Sequence, residues 1–172
     1  MPADTEPGAY ADAALFLGMN SADDQLRRAC KAFFAARLHG RVVMSQEQVG
    51  RCDDTIWRFD RELQDAYYPF MDNLHTVMDI ARPPYDEADV RRGLDGEPPR
   101  TLPVHERLLL GMVLNRHGRL HSASARLLEH GARGGLPVAA PAPVSGPEPA
   151  FPAPLEKLYQ QSLALRIPVD TP

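Results

Sequence analysis

The chain has 172 residues, 44% of them apolar, enough for one cored domain with a short appendage. Its formal net charge of −4 excludes a global basic field for nucleic acid and leaves room only for local patches. Two cysteines, Cys30 and Cys52, make no disulfide framework, no apolar run approaches the ~18 residues of a membrane span, and the opening MPADTEPGAY lacks the basic and apolar regions of a secretion signal; together these point to a cytoplasmic protein with no membrane partner.

Residues 1–8 read as frayed. Residues 9–18, AYADAALFLG, form an apolar segment interrupted by one acid, Asp12, where a first strand should end. The clearest helix spans 21–40. Ser21 and Asp24 cap it, Gly40 stops it, and Leu26, Cys30, Phe33, Phe34 and Leu38 recur at helical spacing toward the core. Arg27, Arg28, Lys31 and Arg37 fall mostly on its other faces. A buried strand follows at 41–44. Ser45 and Gln48 then fit a capping box, each side chain satisfying a backbone N–H of a new helix. The helical run from there to about Thr76 is interrupted by Gly50 and Pro69, the latter because it has no N–H to donate.

A strand over 77–84 ends at two prolines. Asp86 caps a short helix over 86–94, a loop follows, and a helix over 102–118 opens with Pro103 and closes at Gly118. Residues 119–124 alternate like a strand, ARLLEHG makes one or two helical turns, and 135–140 supplies a last strand. Strands alternating with helices across short connections predict a βαβ sheet, whose functional crevice lies beyond the carboxyl ends of the strands. The division is 9–140 as an α/β domain, 141–154 as a Pro/Ala-rich linker and 155–172 as a C-terminal helix and tail. Seven prolines among the eighteen residues 137–154 make that linker stiff and extended. In the last helix Leu155, Leu158, Tyr159, Leu163 and Ile167 share a face. A helix this short is marginal alone, so it is expected to dock on the domain or on a partner.

Three acids draw attention to the strand ends. Asp12 closes the first strand, Glu47 lies just past the second, and Glu106 stands three residues after Pro103 in a helix's first turn. Each has a local explanation, because a carboxylate in a first helical turn gains roughly 0.3–1 kcal/mol from the helix dipole. A parallel sheet, however, brings all three to one edge. Three carboxylates there repel unless a cation sits among them, and hard oxygen ligands suit Mg²⁺ or Mn²⁺.

At these residues the sequence resembles the PIN (PilT N-terminus) domains, compact α/β ribonucleases of which many are toxins of toxin–antitoxin pairs. The resemblance runs from about residue 9 to 138. DAALFLG resembles the family's first-strand motif and VVMSQEQVG its second. LPVHERLLLGMVLNRHGRLHSASARLL resembles the last block, a helix with an early acid, a strand and a Thr-x-Asp turn. The resemblance implies a three-layer α/β/α fold with a short parallel sheet. It also implies a metal-dependent ribonuclease in which Asp12, Glu47 and Glu106 hold Mg²⁺ or Mn²⁺ and bound water attacks an RNA phosphodiester.

The departures are informative. Ala13 and Ala14 stand where small hydroxyl residues often follow the first acid, and Glu106 stands where the family usually has Asp. Ser124 occupies the position of the last Asp and Ser122 that of the Thr. Three of four acids remain. The alternative reading is therefore a PIN-like domain that has lost catalysis and acts through protein contacts, with a protein partner or as a homo-oligomer.

Other constellations carry less. His105, next to Glu106, is a candidate ligand or base. His117 and His121 are four apart, but Gly118 breaks the helix that would align them. The stretch 50–75 is rich in acids and aromatics. It reads as a solvated acidic face beside an aromatic core stripe, or as a partner surface, or as a rebuilt site using Asp53 or Asp54.

Overall fold

The computed structural model describes residues 7–169. Most of the frayed start expected at 1–8 and the last three residues of the tail lie outside that range.

Five short strands form one sheet: β1 (Ala9–Ala11), β2 (Arg41–Val43), β3 (Asp79–Ala81), β4 (Arg119–His121) and β5 (Val138–Ala139). All pair in parallel, in the order β3-β2-β1-β4-β5. Helices fill the connections: α1 (Ala13–Gly18), α2 (Asp24–Ala36), α3 (Gln46–Ile56), α4 (Arg61–Val77), α5 (Glu87–Asp95), α6 (Val104–Asn115) and α7 (Ala125–Gly134). One further helix, α8 (Ala153–Ser162), follows the sheet. None among the described residues is long and apolar enough to cross a membrane.

Side chains alternate across each strand, so a parallel sheet covered on both faces must send neighbouring residues into different cores. Tyr10, Val43, Leu120 and Val138, which are register partners, join the apolar cluster of Leu109, Leu110 and Val113 from α6. Ala11, Val42 and Ile80 join the larger cluster around Phe16, Phe34, Phe70 and Tyr159. The architecture is thus α/β, compatible with three α/β/α layers.

Several boundaries differ from the sequence reading. The N-cap of α2 is Asp23, which accepts from Leu26 N at 3.0 Å, and Ser21 instead accepts from Asp23 N. The helix stops at Ala36. Gly50 does not interrupt α3; the break falls after Ile56, and Asp60 caps the restart. Pro69 lies inside α4 without ending it. The helix after Ser124 has ten residues, more than the turn or two expected. Ser45 does cap α3, accepting from Gln48 N at 3.2 Å. The Gln48 side chain, however, accepts from Ala13 N at 2.8 Å, across 35 residues, and so reaches α1 rather than its own cap.

The largest correction concerns α2. Arg27 and Lys31, read as facing away from the core, are 7% and 1% exposed. Apart from Asp24, one turn from Arg27, their anions come from the far end of the chain. Lys31 Nζ donates to Glu148 at 2.8 Å and to Glu156 at 2.7 Å, and Arg27 donates to Glu148, Asp24 and the Tyr159 hydroxyl. Residues 140–152 carry no helix or strand, yet Glu148 fastens them to α2 and Phe151 is buried. Phe151, Phe70 and Tyr159 form a ring cluster with centroids 5.2–5.9 Å apart, which seats α8 against α4. Beyond α8, Ile167 bridges Ser21 in parallel, its N–H donating to Asn20 O and its carbonyl accepting from Ala22 N.

Candidate functional site

The chain lays down β1, β2 and β3 in one direction, then returns to place β4 on the other side of β1. Connections therefore diverge between β1 and β4, and such a switch point opens a crevice at the carboxyl ends of the strands. Asp12 is the first residue after β1 and Ser122 the first after β4. The Ser122 hydroxyl donates to Asp12 Oδ2 at 2.5 Å and accepts from Ser124 N at 3.0 Å, tying the two strand ends together. Asp12 Oδ1 accepts from Leu15 N at 2.8 Å and so caps α1. Asp12 is 3% exposed. Burial raises its pKa to about 6, with nearby Glu106 adding to the rise and the Ser122 and Leu15 hydrogen bonds opposing it.

Glu106 is buried in the first turn of α6, 5% exposed. Arg126, two residues past the Ser124 cap of α7, holds it with both arms: Nε donates to Oε2 at 2.9 Å and Nη2 to Oε1 at 2.7 Å. Such bidentate pairs are the strongest ordinary form of charge-assisted hydrogen bond. Glu47 stands apart, on α3. Its Oε2 accepts from the Tyr85 hydroxyl and from Gln48 Nε2, each at 3.0 Å, and its Oε1 lies 3.6 Å from Arg51. Burial keeps the Tyr85 phenol protonated, and Glu47 reinforces this.

A cleft of about 420 Å³ opens over this edge. Asp12, Glu106, His105, Ser124 and Asp54 line it, with Gln48 and the cations Arg51, Arg58 and Arg126. Ile167, Pro168 and Val169 form part of one wall. Burial and then Arg51 lower the His105 pKa, while Glu106 and Glu47 pull the other way. Asp54 accepts from Arg58 at 2.7 Å. Ser122 is fully buried behind Asp12. Asp53 turns elsewhere, into a second groove, where it accepts from the Tyr68 hydroxyl at 3.3 Å. The fold thus gathers Asp12, Glu106, His105 and Ser124 in one cleft, with Glu47 at its flank and Asp53 outside.

The acids of the cleft are engaged by the chain's own donors. Both Glu106 oxygens are held by Arg126, and both Asp12 oxygens accept hydrogen bonds. Among the described residues no group of three or more His, Cys, Asp and Glu side chains could hold a metal ion. The positive charge facing Glu106 comes from the Arg126 guanidinium. Gln48 and Arg126 were missed by sequence reasoning. Gln48 had a sufficient local role as a cap. Nothing local marks Arg126, whose partner Glu106 lies 20 residues away.

Over residues 1–172 the chain matches the model of the "Family of unknown function (DUF6190)", and it belongs to that family. No curated protein matches it.

Proposed function

We propose that the chain is a PIN-like domain that has given up metal-dependent RNA cleavage and acts in the cytoplasm as an accessory or interaction protein, through a protein partner or a second copy of itself. One observation carries this reading: Arg126 engages both oxygens of Glu106, the buried acid that shares the switch-point cleft with Asp12. A fixed cation balances that carboxylate without a metal. A divalent ion would have to displace a bidentate, partly desolvated pair before it could bind. Asp12 is also costly to ionise at its buried position, with a pKa near 6, which weakens it further as a hard anionic ligand. Ser124 contributes a hydroxyl where a charge is expected by resemblance.

A second reading has one observation in its favour. The Arg126 side chain is about half exposed, at 48%. A rotation into solvent would free Glu106 to face Mg²⁺ or Mn²⁺ with Asp12, and the cleft would then support hydrolysis of an RNA phosphodiester.

Calorimetric titration of Mn²⁺, paired with an RNA cleavage assay, separates the two. Under the first reading the wild type neither binds Mn²⁺ nor cleaves, whereas Arg126→Ala, which releases Glu106, gains measurable Mn²⁺ affinity. Saturable Mn²⁺ binding by the wild type, with cleavage that disappears in Glu106→Gln, would overturn it.

A further inference from the structure

A second groove, of about 640 Å³, lies between α3 and α4. It is separate from the cleft of Asp12, and its chemistry is independent of whatever that cleft does. Helical spacing builds its two walls. Val49, Asp53 and Trp57 recur every fourth residue along α3 and its C-cap, while Tyr68, Asp72 and Thr76 do the same along α4. Trp57 is 71% exposed. An indole left largely in water gives up most of the area that makes it worth burying, and tryptophan is enriched where partners anchor.

Charge along these helices is distributed unevenly. On the outer faces the acids are neutralised by neighbours one turn away: Arg58 donates to Asp54 at 2.7 Å and Arg61 to Asp65 at 2.8 Å. The two acids that line the groove are left over. Among the described contacts Asp53 accepts only from the Tyr68 hydroxyl, at 3.3 Å, and Asp72 has neither ion pair nor side-chain hydrogen bond. Arg82 supplies one cation at the rim against these two anions, so the lining is net negative. His75 also lines the groove. Its two ring nitrogens are buried without a hydrogen-bond partner, and its ring packs on Phe16 with centroids 5.3 Å apart.

We propose that this groove binds an arginine side chain presented by a partner protein. The guanidinium is the group that uses the aromatic faces and the acids at once. Its face stacks on Trp57 or Tyr68, and its planar fork donates to Asp53 or Asp72. A compact ammonium matches the charge but not the plane or the number of donors. A phosphate-bearing partner such as RNA meets net negative charge here and is disfavoured.

Trp57 is the only tryptophan in the chain, so its fluorescence reads this groove alone. The probe is the blocked tripeptide acetyl-Gly-Arg-Gly-amide, with lysine and citrulline versions as controls, titrated into the full chain. The arginine peptide is expected to change Trp57 emission saturably. Binding should weaken about tenfold or more in Asp53→Asn/Asp72→Asn, and to a smaller extent in Asp72→Asn alone, a change at an exposed position that leaves the melting temperature unaltered. Added salt should weaken it as well. No saturable response, or equal responses to the arginine and citrulline peptides, would overturn the proposal. So would equal binding of the lysine peptide, binding unchanged in the double variant, or a fluorescence change on dilution of the protein alone, which would identify a second copy as the occupant.

Discussion

At Asp12 one side chain does three things: it ends β1, caps α1 and receives the Ser122 hydroxyl. The same burial that fixes it raises its pKa from 3.8 to about 6. The folded state therefore binds this proton more tightly than the unfolded state. The associated stability is fully present below pH 3.8 and is lost as pH rises through about 6. The shift corresponds to about 3 kcal/mol at neutral pH. Asp12→Asn keeps an acceptor for Leu15 N and removes the titration. Its thermal stability relative to wild type should rise between pH 4 and pH 7, and an equal pH dependence in both proteins would refute the assignment. Asp12 and Glu106 were legible as cleft residues because acids after a strand or in a first helical turn have positions fixed by local geometry. Arg126 and Gln48 were not. Their partners, Glu106 and Ala13, lie 20 and 35 residues away, and no local pattern encodes which long side chain reaches across a cleft.

Among the elements, α5 and α6 approach most closely, and glycine permits it. A Cβ on Gly111 would land on the backbone of Asp89 and Gly93, and one on Gly93 would meet the backbone of Arg107. The opposing atoms belong to main chain and cannot rotate away. Asp89, fully buried in the same seam, accepts from Arg116 and Asn115 and completes the capping box of α5. Burial alone would raise its pKa, and these bonds outweigh that and lower it. Gly111→Ala should therefore cost about 2–3 kcal/mol by forcing the helices apart, measured by urea denaturation. A change under about 0.5 kcal/mol would show that the helices separate freely. The strands were readable as apolar runs bounded by polar and turn residues, and all five appear in their expected windows. Helix ends were less so. Pro69 stays within α4 even though proline removes a backbone donor, and such tertiary tolerance has no sequence signature.

For the molecule as a whole, the main departure from the sequence reading is the origin of the charges on α2. Periodicity sorts residues by hydropathy, so it placed Arg27 and Lys31 toward water. The fold buries them because Glu148 and Glu156 arrive from far along the chain. Burial raises the pKa of these two acids, but the bonds from Arg27 and Lys31 to Glu148, and from Lys31, Gln160 and Phe151 N to Glu156, outweigh it and hold both below the usual glutamate value of 4.5. Their contribution is present above pH 4.5 and is lost as pH falls below it, opposite in sign to that of Asp12. Removing all residues after 140 should leave Lys31 without an anion and Arg27 with Asp24 alone, and uncover Phe70. Its melting temperature should drop by more than about 10 °C, or the product should be insoluble. An unchanged melting temperature by calorimetry would mean that α2 does not depend on the extension.

The Lys31 pairs span 117 and 125 residues. On a translating ribosome β1, β2 and β3 are complete long before either counter-ion exists. Until Glu148 and Glu156 emerge, the ammonium of Lys31 lacks both of its folded-state anions, and burying it under α2 would carry the cost of an unpaired charge. Docking of this helix is therefore expected to be completed only late in synthesis.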